Sequence, residues 1–354
     1  MPFIWLAYFF PLAALALGLA VSVLPVPFTG ALSFLETVLL IGTSFAAVHH
    51  AEGISSRIGQ PFGTLILTLS VTVIEVSVLV AMMLNGENNP GVGREAVLST
   101  VMFVCTGVVG ACLLVGALRH REQEVRQQGV NGYLSVIIAI SVLCLLLPQN
   151  THAGLMGAVD PFQISFIMCG TVVLYGAFLF MQTVRHRADF MPEASEPAPA
   201  RPRRLVVHIP LLLAALGGIV LVSSGVAAGV EELLDRLHLR DPDAVISAAV
   251  VAMLLLPETI TAIRAARAND LQRSINTALG SALATIGLTM PAMVAISVWV
   301  DRPIYLGIEP EDRVQLLLVL VLSIVSFGTG RTNLLNGFVH LVLFAIYVMT
   351  LFVP

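Results

Sequence analysis

The chain has 354 residues, of which 57% are apolar and only 11% are charged, and its mean hydropathy is +0.92. Soluble globular domains carry about 25% charged residues, so the composition excludes that class and indicates an integral membrane protein with membrane lipid as a partner. The formal net charge of −4 gives no indication of a nucleic-acid partner.

Long apolar segments follow one another along the chain. A helix that crosses the hydrocarbon core of a bilayer needs about 20 apolar residues. The first segment has no basic residue ahead of it and no small-residue cleavage site, so we interpret it as a retained helix and not a signal peptide. The sequence predicts an all-α polytopic membrane protein with about 11 transmembrane helices: 3–24, 31–48, 62–84, 95–118, 132–147, 163–184, 206–229, 243–265, 274–299, 312–327 and 332–353.

One polar segment, 185–205, is rich in proline, alanine and charge and is typical of a cytoplasmic linker. It separates an extra N-terminal helix (1–30) and a first group of five spans (31–184) from a second group of five spans (206–354). Two groups with an odd number of spans must have opposite orientations, which is the inverted-repeat design of many secondary transporters.

The basic residues are distributed unevenly between the loops. All 18 are arginines, and 13 lie in or beside the even-numbered loops: Arg57, Arg119, Arg121, Arg126, Arg185, Arg187, Arg201, Arg203, Arg204, Arg264, Arg267, Arg273 and Arg331. The odd-numbered loops have Arg94, Arg236, Arg240, Arg302 and Arg313. The positive-inside rule therefore predicts a cytoplasmic N-terminus and a C-terminus outside.

Two glutamates lie within predicted spans, at matching places in the two groups. Glu75 is in GTLILTLSVTVIEVSVLVAMML (63–84), and Glu258 is in DAVISAAVVAMLLLPETITAIRAA (243–266). A charge at the centre of a membrane helix costs about 2.5–3.5 kcal/mol on insertion scales, so two of them indicate a function. If the two helices cross at the midplane, the carboxylates face each other, and the pair can hold either protons or a cation. We infer a cation/proton antiporter that needs no cofactor, with both glutamates binding protons and metal.

Residues with side-chain oxygen atoms, which hard cations prefer as ligands, occur close to both glutamates in the sequence. Hydroxyl groups recur at helical spacing: Thr64, Thr68 and Thr72 before Glu75, and Thr277, Ser281, Thr285 and Thr289 after Glu258. Pro257 removes an N–H and is expected to bend its helix, freeing carbonyls near Leu254. The alternative is that the hydroxyls bond their own backbone or hold helices together.

Other polar residues within the spans leave several interpretations open. Glu36 either lines an outer vestibule or reaches the membrane interface. His49 and His50, near Glu52, either serve as an entry point for protons or form an interfacial pair without a function. His340 belongs to a polar face that is expected to pack inward.

The segments PFGTLILTLSVTVIEVSVL and LLLPETITAIRAARANDLQRSINTALGSALATIGLTMPA resemble the two signature repeats of the calcium/cation antiporter superfamily, especially its bacterial calcium/proton branch. The resemblance extends over almost the whole chain and also includes HHAEGISSRIGQPFGT and FGTGRTNLLNG. It implies exchange of calcium for protons, in a branch that also includes exchangers of sodium or potassium for protons. Our hypothesis for the mechanism is export of calcium by alternating access, in a bacterial inner (plasma) membrane.

The resemblance also implies which residues bind the cation. The acidic residue of each repeat is Glu75 or Glu258, aided by backbone carbonyls near Val71 and Leu254. Further ligands are expected from the next spans: Ser99, Thr100, Ser281 and Thr285. The sequence departs from the commoner pattern, with Thr72 three residues before Glu75, Leu255 three before Glu258, and Ala282 after Ser281.

Two alternatives remain open. The first is an antiporter that exchanges sodium or potassium for protons, with calcium secondary, because proton competition needs only a titratable pair. The second is an intramembrane protease, since EELLDR (231–236) has the Glu-Glu-x-x-x-Arg spacing of one such class. That motif lies in a charged loop without helix-borne partners, so we expect no enzyme activity.

Overall fold

The computed structural model describes residues 4–24, 29–58, 62–85, 91–150, 161–190, 205–237, 242–301 and 304–352. In these ranges the chain is almost entirely helical. The helices are α1 (Ile4–Val23), α2 (Gly30–Ile58), α3 (Phe62–Asn85), α4 (Val92–Met102), α5 (Val109–His120), α6 (Gln127–Ser141), α7 (Leu147–Asn150), α8 (Pro161–Phe180), α9 (Arg187–Phe190), α10 (Leu205–Leu237), α11 (Pro242–Leu254), α12 (Leu256–Arg267), α13 (Leu271–Ala284), α14 (Met290–Val300), α15 (Pro310–Phe327) and α16 (Leu334–Phe352). Four π-helical segments, Phe103–Val108, Val142–Leu146, Met181–Arg185 and Thr285–Thr289, join consecutive helices.

The predicted fold class, an all-α polytopic membrane protein, is confirmed. Within the described ranges, nine helical spans are long and apolar enough to cross a membrane, or ten if the bent pair α11–α12 counts as one. The predicted total of 11 remains a prediction. Its further span lies in α15, which is only 18 residues long and begins with Pro310, Glu311, Asp312 and Arg313, so its apolar part is shorter than the roughly 20 residues of a full span.

The helices form two compact units that do not coincide with the predicted repeats. The first unit contains α1, α2, α3 and α10, and the second contains α4–α9 and α11–α16. The predicted division at 1–30, 31–184, 185–205 and 206–354 therefore remains a prediction.

In the first unit, glycines allow α10 to pack very closely against α1 and α2. A Cβ atom on Gly225 would lie 1.7 Å from Glu36 Oε2, and one on Gly229 would lie 1.6 Å from Ser33 Oγ. Ser33 also donates a hydrogen bond to the Gly225 carbonyl at 2.9 Å. Membrane helices use small residues in this way because backbones in close contact gain van der Waals packing.

In the second unit, α12 packs against α5 and α13, and α16 packs along α5. A two-residue antiparallel ladder joins β1 (Gln123–Glu124) to β2 (Arg331–Thr332). The ladder ties the connection after α5 to the connection after α15, so the residues of FGTGRTN hold two loops together at one end of this unit.

The start of the expected linker differs from the prediction. The π-helical segment after α8 continues to Arg185, and α9 forms a further helical turn. The ring of Phe190 lies 5.6 Å from that of Tyr133 and 5.7 Å from that of Phe178. The ring contacts of the half-buried Phe190 explain why helical structure extends through α9. The rest of the polar segment, 191–204, lies outside the described residues.

Candidate functional site

Glu75 lies on an unbroken helix within the apolar stretch that predicted it. It comes 13 residues after Phe62 and 10 residues before Asn85 in α3, which places it about 20 Å and about 15 Å from the two ends at 1.5 Å per residue. Its side chain is 7% exposed, and α3 packs against α2 and α10 within the first unit. The structure therefore holds this carboxyl deep inside a membrane-spanning helix bundle.

The hydroxyl groups ahead of Glu75 bond to their own helix. Thr72 Oγ1 donates to the Thr68 carbonyl at 3.0 Å, and Ser70 Oγ donates to the Ile66 carbonyl at 2.7 Å. A hydroxyl that donates its hydrogen keeps acceptor lone pairs, so Thr72 can still offer oxygen to a cation. Val71, whose carbonyl is the other predicted ligand of this helix, is half-buried, and the side chain of Thr64 lies outside the described residues.

Glu258 lies directly after a break in its membrane span. The axes of α11 and α12 differ by 54° across Leu255, and Pro257 is in the first turn of α12. Proline has no N–H to donate to the carbonyl four residues earlier, here Met253, and its ring also clashes there. The predicted bend at Pro257 is confirmed.

The break gives Glu258 an electrostatic environment of its own. The half-buried glutamate is in the first turn of α12, where the partial positive charge of a helix N-terminus stabilises a carboxylate. Leu254, whose carbonyl is a predicted ligand, is the last residue of α11. Broken helices of this kind form ion sites in many secondary transporters, because carbonyls released from one half and the N-terminus of the other are available together.

The four hydroxyl residues predicted from the following spans all lie in the second unit, which also contains Glu258. Thr100 Oγ1 donates to the Ala96 carbonyl at 2.9 Å, and Thr285 Oγ1 donates to the Ser281 carbonyl at 3.1 Å. Ser99 is fully buried and shares a 2.8 Å hydrogen bond with the Tyr347 hydroxyl. Ser281 is half-buried. Glu75, Thr72 and Val71 belong to the first unit.

The spans that follow the two glutamates share a feature that the sequence did not predict. A π-helical segment begins at Phe103, 28 residues after Glu75, and another begins at Thr285, 27 residues after Glu258. Each encloses a fully buried threonine, Thr106 or Thr289, and both lie 31 residues after their glutamate. Such segments inside α-helices are frequent at functional sites. Their matching positions support a repeated design.

His340 of α16 contacts the π-helical segment Phe103–Val108. Its Nδ1 lies 2.6 Å from the Cys105 carbonyl, and its Nε2 lies 3.0 Å from Ser326 Oγ. A carbonyl only accepts, so Nδ1 is the donor, and neutral His340 accepts from Ser326 through Nε2. The prediction that His340 packs inward is confirmed by its complete burial.

Three polar features were missed or left open by the sequence. Arg94 and Glu95 form a 2.9 Å ion pair, with Glu95 5% exposed one turn before Ser99. Glu36 is 2% exposed, so it does not reach the interface as one interpretation held. His50 forms a hydrogen bond with His208. Nothing in the sequence indicated this pair, because the two histidines are 158 positions apart. The burial of Glu36 and Glu95 could have been suspected from the sequence, because each is an acidic residue inside an apolar segment.

Comparison with known proteins shows which family the chain belongs to. The sodium/calcium exchanger protein family matches residues 9–184 and 207–353. The chain belongs to this family. Its predicted membership of the calcium/cation antiporter superfamily is therefore confirmed, and the exchanger is a multi-pass integral membrane protein.

Individual relatives of this exchanger extend over most of its length. The protein y4hA of Sinorhizobium fredii, named as an ionic transporter, is 41% identical over 321 residues, which are 89% of this chain and 87% of the relative. The sodium-potassium/proton antiporter ChaA of Escherichia coli is 32% identical over 352 residues, 97% of this chain and 95% of the relative. The structure of native YfkE has the same fold, with a TM-score of 0.74, 18% identity and coverage of 98% of this chain and 100% of that one.

Proposed function

We propose that this exchanger is a secondary active cation/proton antiporter that exports calcium in exchange for protons, by alternating access at a shared site formed by Glu75 and Glu258. One observation carries the proposal. Each predicted repeat has a glutamate inside a membrane span, one 7% exposed in α3 and the other in the first turn after the α11–α12 break. YfkE, which has the same fold, is named a Ca2+/H+ antiporter.

Charge explains why two carboxylates couple the two ions. One divalent cation neutralises both carboxylates, and two protons do the same, so the ions exclude each other. A charged pair without either ion is unfavourable within the membrane. Calcium takes six to eight oxygen ligands. We expect them to be drawn from the two carboxylates, the carbonyls of Val71 and Leu254, and the hydroxyls of Thr72, Ser99, Thr100, Ser281 and Thr285.

A second candidate is exchange of sodium or potassium for protons, with calcium secondary. It is favoured by the similarity to ChaA over 97% of this chain. It is also favoured by Leu255 and Ala282, which supply no side-chain oxygen next to Glu258 and Ser281. Fewer oxygens suit a monovalent ion better than calcium, whereas the carboxylate pair would serve either reaction.

Purified protein in proteoliposomes with an imposed pH gradient separates the two candidates. Calcium, sodium and potassium are added singly, and proton flux is followed with a pH-sensitive dye. We expect calcium to collapse the gradient in the wild type. Collapse by sodium or potassium but not calcium would favour the second candidate.

Glutamine substitutions in the same assay test the site. We expect Glu75→Gln and Glu258→Gln each to lower exchange by at least about 100-fold, equivalent to about 2.7 kcal/mol. The double variant should lose little more than either single variant, since one shared site is already lost. Glu232→Gln is the matched control and also tests the protease motif, which lies at the end of α10 and not in a loop as predicted. Retained exchange in both single variants would contradict the site.

The same proposal includes orientation in a bacterial inner membrane, with the N-terminus cytoplasmic and the C-terminus outside. It is supported by the 13 of 18 arginines in the even-numbered loops. Labelling of single cysteines placed at Arg121 and Asp301, in intact cells, should modify only the second. The reverse pattern would invert the direction of transport.

A further inference from the structure

A histidine pair joins α2 to α10 in the first unit, apart from the residues proposed to bind the cation. His50 is fully buried and His208 is 5% exposed. Their Nδ1 atoms lie 2.9 Å apart, so one hydrogen is shared between two ring nitrogens. Histidine titrates near neutral pH, so a buried pair in this geometry can hold a proton.

The surrounding helices fix the position of both rings. His50 Nε2 lies 2.9 Å from the Ala7 carbonyl of α1. A Cβ atom on Gly53 would lie 2.8 Å from His208 Cε1 and Nδ1, so the missing side chain leaves room for this ring against α2. The contact with α1 is held by Gly42, where a Cβ atom would lie 2.3 Å from the ring of Phe10.

The contact with Ala7 determines which nitrogen carries each hydrogen. A carbonyl only accepts, so His50 Nε2 must carry a hydrogen. In the neutral pair, His50 Nδ1 is then the acceptor and His208 Nδ1 is the donor. Neutral His208 therefore has its single ring hydrogen on Nδ1.

One additional proton fits this arrangement, and a second does not. When the pair gains one proton, one hydrogen still lies between the two Nδ1 atoms. In this state His50 carries hydrogens on both ring nitrogens and donates from Nδ1. His208 then carries its hydrogen on Nε2 and accepts through Nδ1. A further proton would put hydrogens on both Nδ1 atoms and two positive charges at 2.9 Å. The hydrogen bond between His50 and His208 would then be lost.

Other titratable groups belong to the helices packed around the pair. The ring of His49 lies 5.5 Å from that of His50 and 6.1 Å from that of His208, and the ring of Tyr8 lies 5.9 Å from that of His50. Glu52 follows His50 by two residues in α2. The remaining titratable or charged residues of the four helices are Glu36 and Arg57 in α2, Glu75 in α3, and Glu231, Glu232, Asp235 and Arg236 in α10.

We propose that His50 and His208 form a proton-binding site separate from Glu75 and Glu258, which holds one proton between α2 and α10 and opens their contact when a second proton binds. The ligand is the proton alone. The site exists whether or not the exchanger transports calcium. Any effect on exchange rests on the proposed function.

Nitrogen-15 NMR of the full-length protein in lipid nanodiscs, labelled at histidine, tests the site directly. We expect a scalar coupling between two Nδ1 nuclei in the wild type at neutral pH. The coupling should persist through uptake of one proton and vanish at a more acidic pH, with faster amide hydrogen exchange in α2 and α10. Absence of the coupling in folded protein, or independent titration of the two rings, would overturn the proposal.

Substitutions assign the signal to the pair. His50→Gln and His208→Gln should each abolish the coupling, whereas the matched neighbour variant His49→Gln should keep it. The His340 signals, bonded to Cys105 and Ser326 in the second unit, report whether each variant is folded. If the coupling persisted in His50→Gln or in His208→Gln, it would arise from other histidines, and the proposed site would be refuted.

The same preparations distinguish this proposal from the proposed function. A wild-type protein that shows the coupled pair but no cation-dependent proton flux would support the histidine site and remove the antiporter proposal. A protein that exchanges cations without the coupled pair would do the reverse.

Discussion

The α3 span and the α11–α12 span both carry a glutamate that the sequence singled out, but their backbones differ. Ile74 precedes Glu75 in a continuous helix, whereas Pro257 precedes Glu258 beside a 54° bend. In α3 the residue three before the glutamate is Thr72, and in the bent span it is Leu255. One span can therefore offer a side-chain oxygen where the other offers backbone oxygens.

This difference shows how two related spans can use different chemistry. A helix N-terminus stabilises negative charge at Glu258 through its N–H groups. In the middle of α3 every backbone N–H is engaged within the helix, so Glu75 depends on neighbouring side chains or on a bound ion or proton.

The largest expected effect comes from placing a proline directly before Glu75 in α3, as Pro257 stands directly before Glu258. Ile74→Pro removes an N–H from the middle of a continuous helix and a side chain that is 4% exposed. We expect a loss of stability of about 3 kcal/mol or more, measured by thermal unfolding in detergent. Ile74→Val is the control and should cost no more than about 1.5 kcal/mol. A folded, fully stable proline variant would mean that α3 tolerates the same break.

The converse substitution removes the break from the other span. Pro257→Ala restores an N–H that can bond to the Met253 carbonyl, so α11 and α12 should become straighter. We expect exchange in proteoliposomes to fall at least about tenfold, which is about 1.4 kcal/mol, without loss of thermal stability. Pro210→Ala in α10, a helix that continues through its proline to Leu237, should keep exchange. Unchanged exchange in Pro257→Ala would make the bend incidental.

Two serine substitutions sharpen the comparison in the following spans. Ser99→Ala removes a partner of the buried Tyr347 hydroxyl, so we expect a loss of about 1–3 kcal/mol of stability. Replacing both partners in Ser99→Ala/Tyr347→Phe should restore most of it. Ser281→Ala should change stability by less than about 0.5 kcal/mol, while both serine substitutions should lower cation affinity, since both hydroxyls are proposed ligands. Stability losses of equal size at Ser99 and Ser281 would remove the distinction.

Much of the candidate site was accessible from the sequence, because a charge in an apolar segment and a proline beside it have strong local consequences. The bend at Pro257 follows from one missing N–H and was predicted correctly. The π-helical segments at Phe103 and Thr285 could not be predicted, since they depend on packing that inserts contacts such as His340 to Cys105. The helical start of the linker also escaped prediction, because Phe190 depends on ring contacts with α6 and α8 and on a hydrogen bond from Asn276 of α13 to its carbonyl.

The amino-acid sequence by itself determined the membrane class, the approximate spans and the two acidic residues, because hydrophobicity and charge act on each segment separately. Tertiary structure decided which polar groups meet. His50 and His208 are 158 positions apart, and Ser99 and Tyr347 are 248 positions apart. Contacts over such separations depend on how helices pack. In the first unit, Gly225 and Gly53 contribute to that packing by leaving room for the side chains of Glu36 and His208.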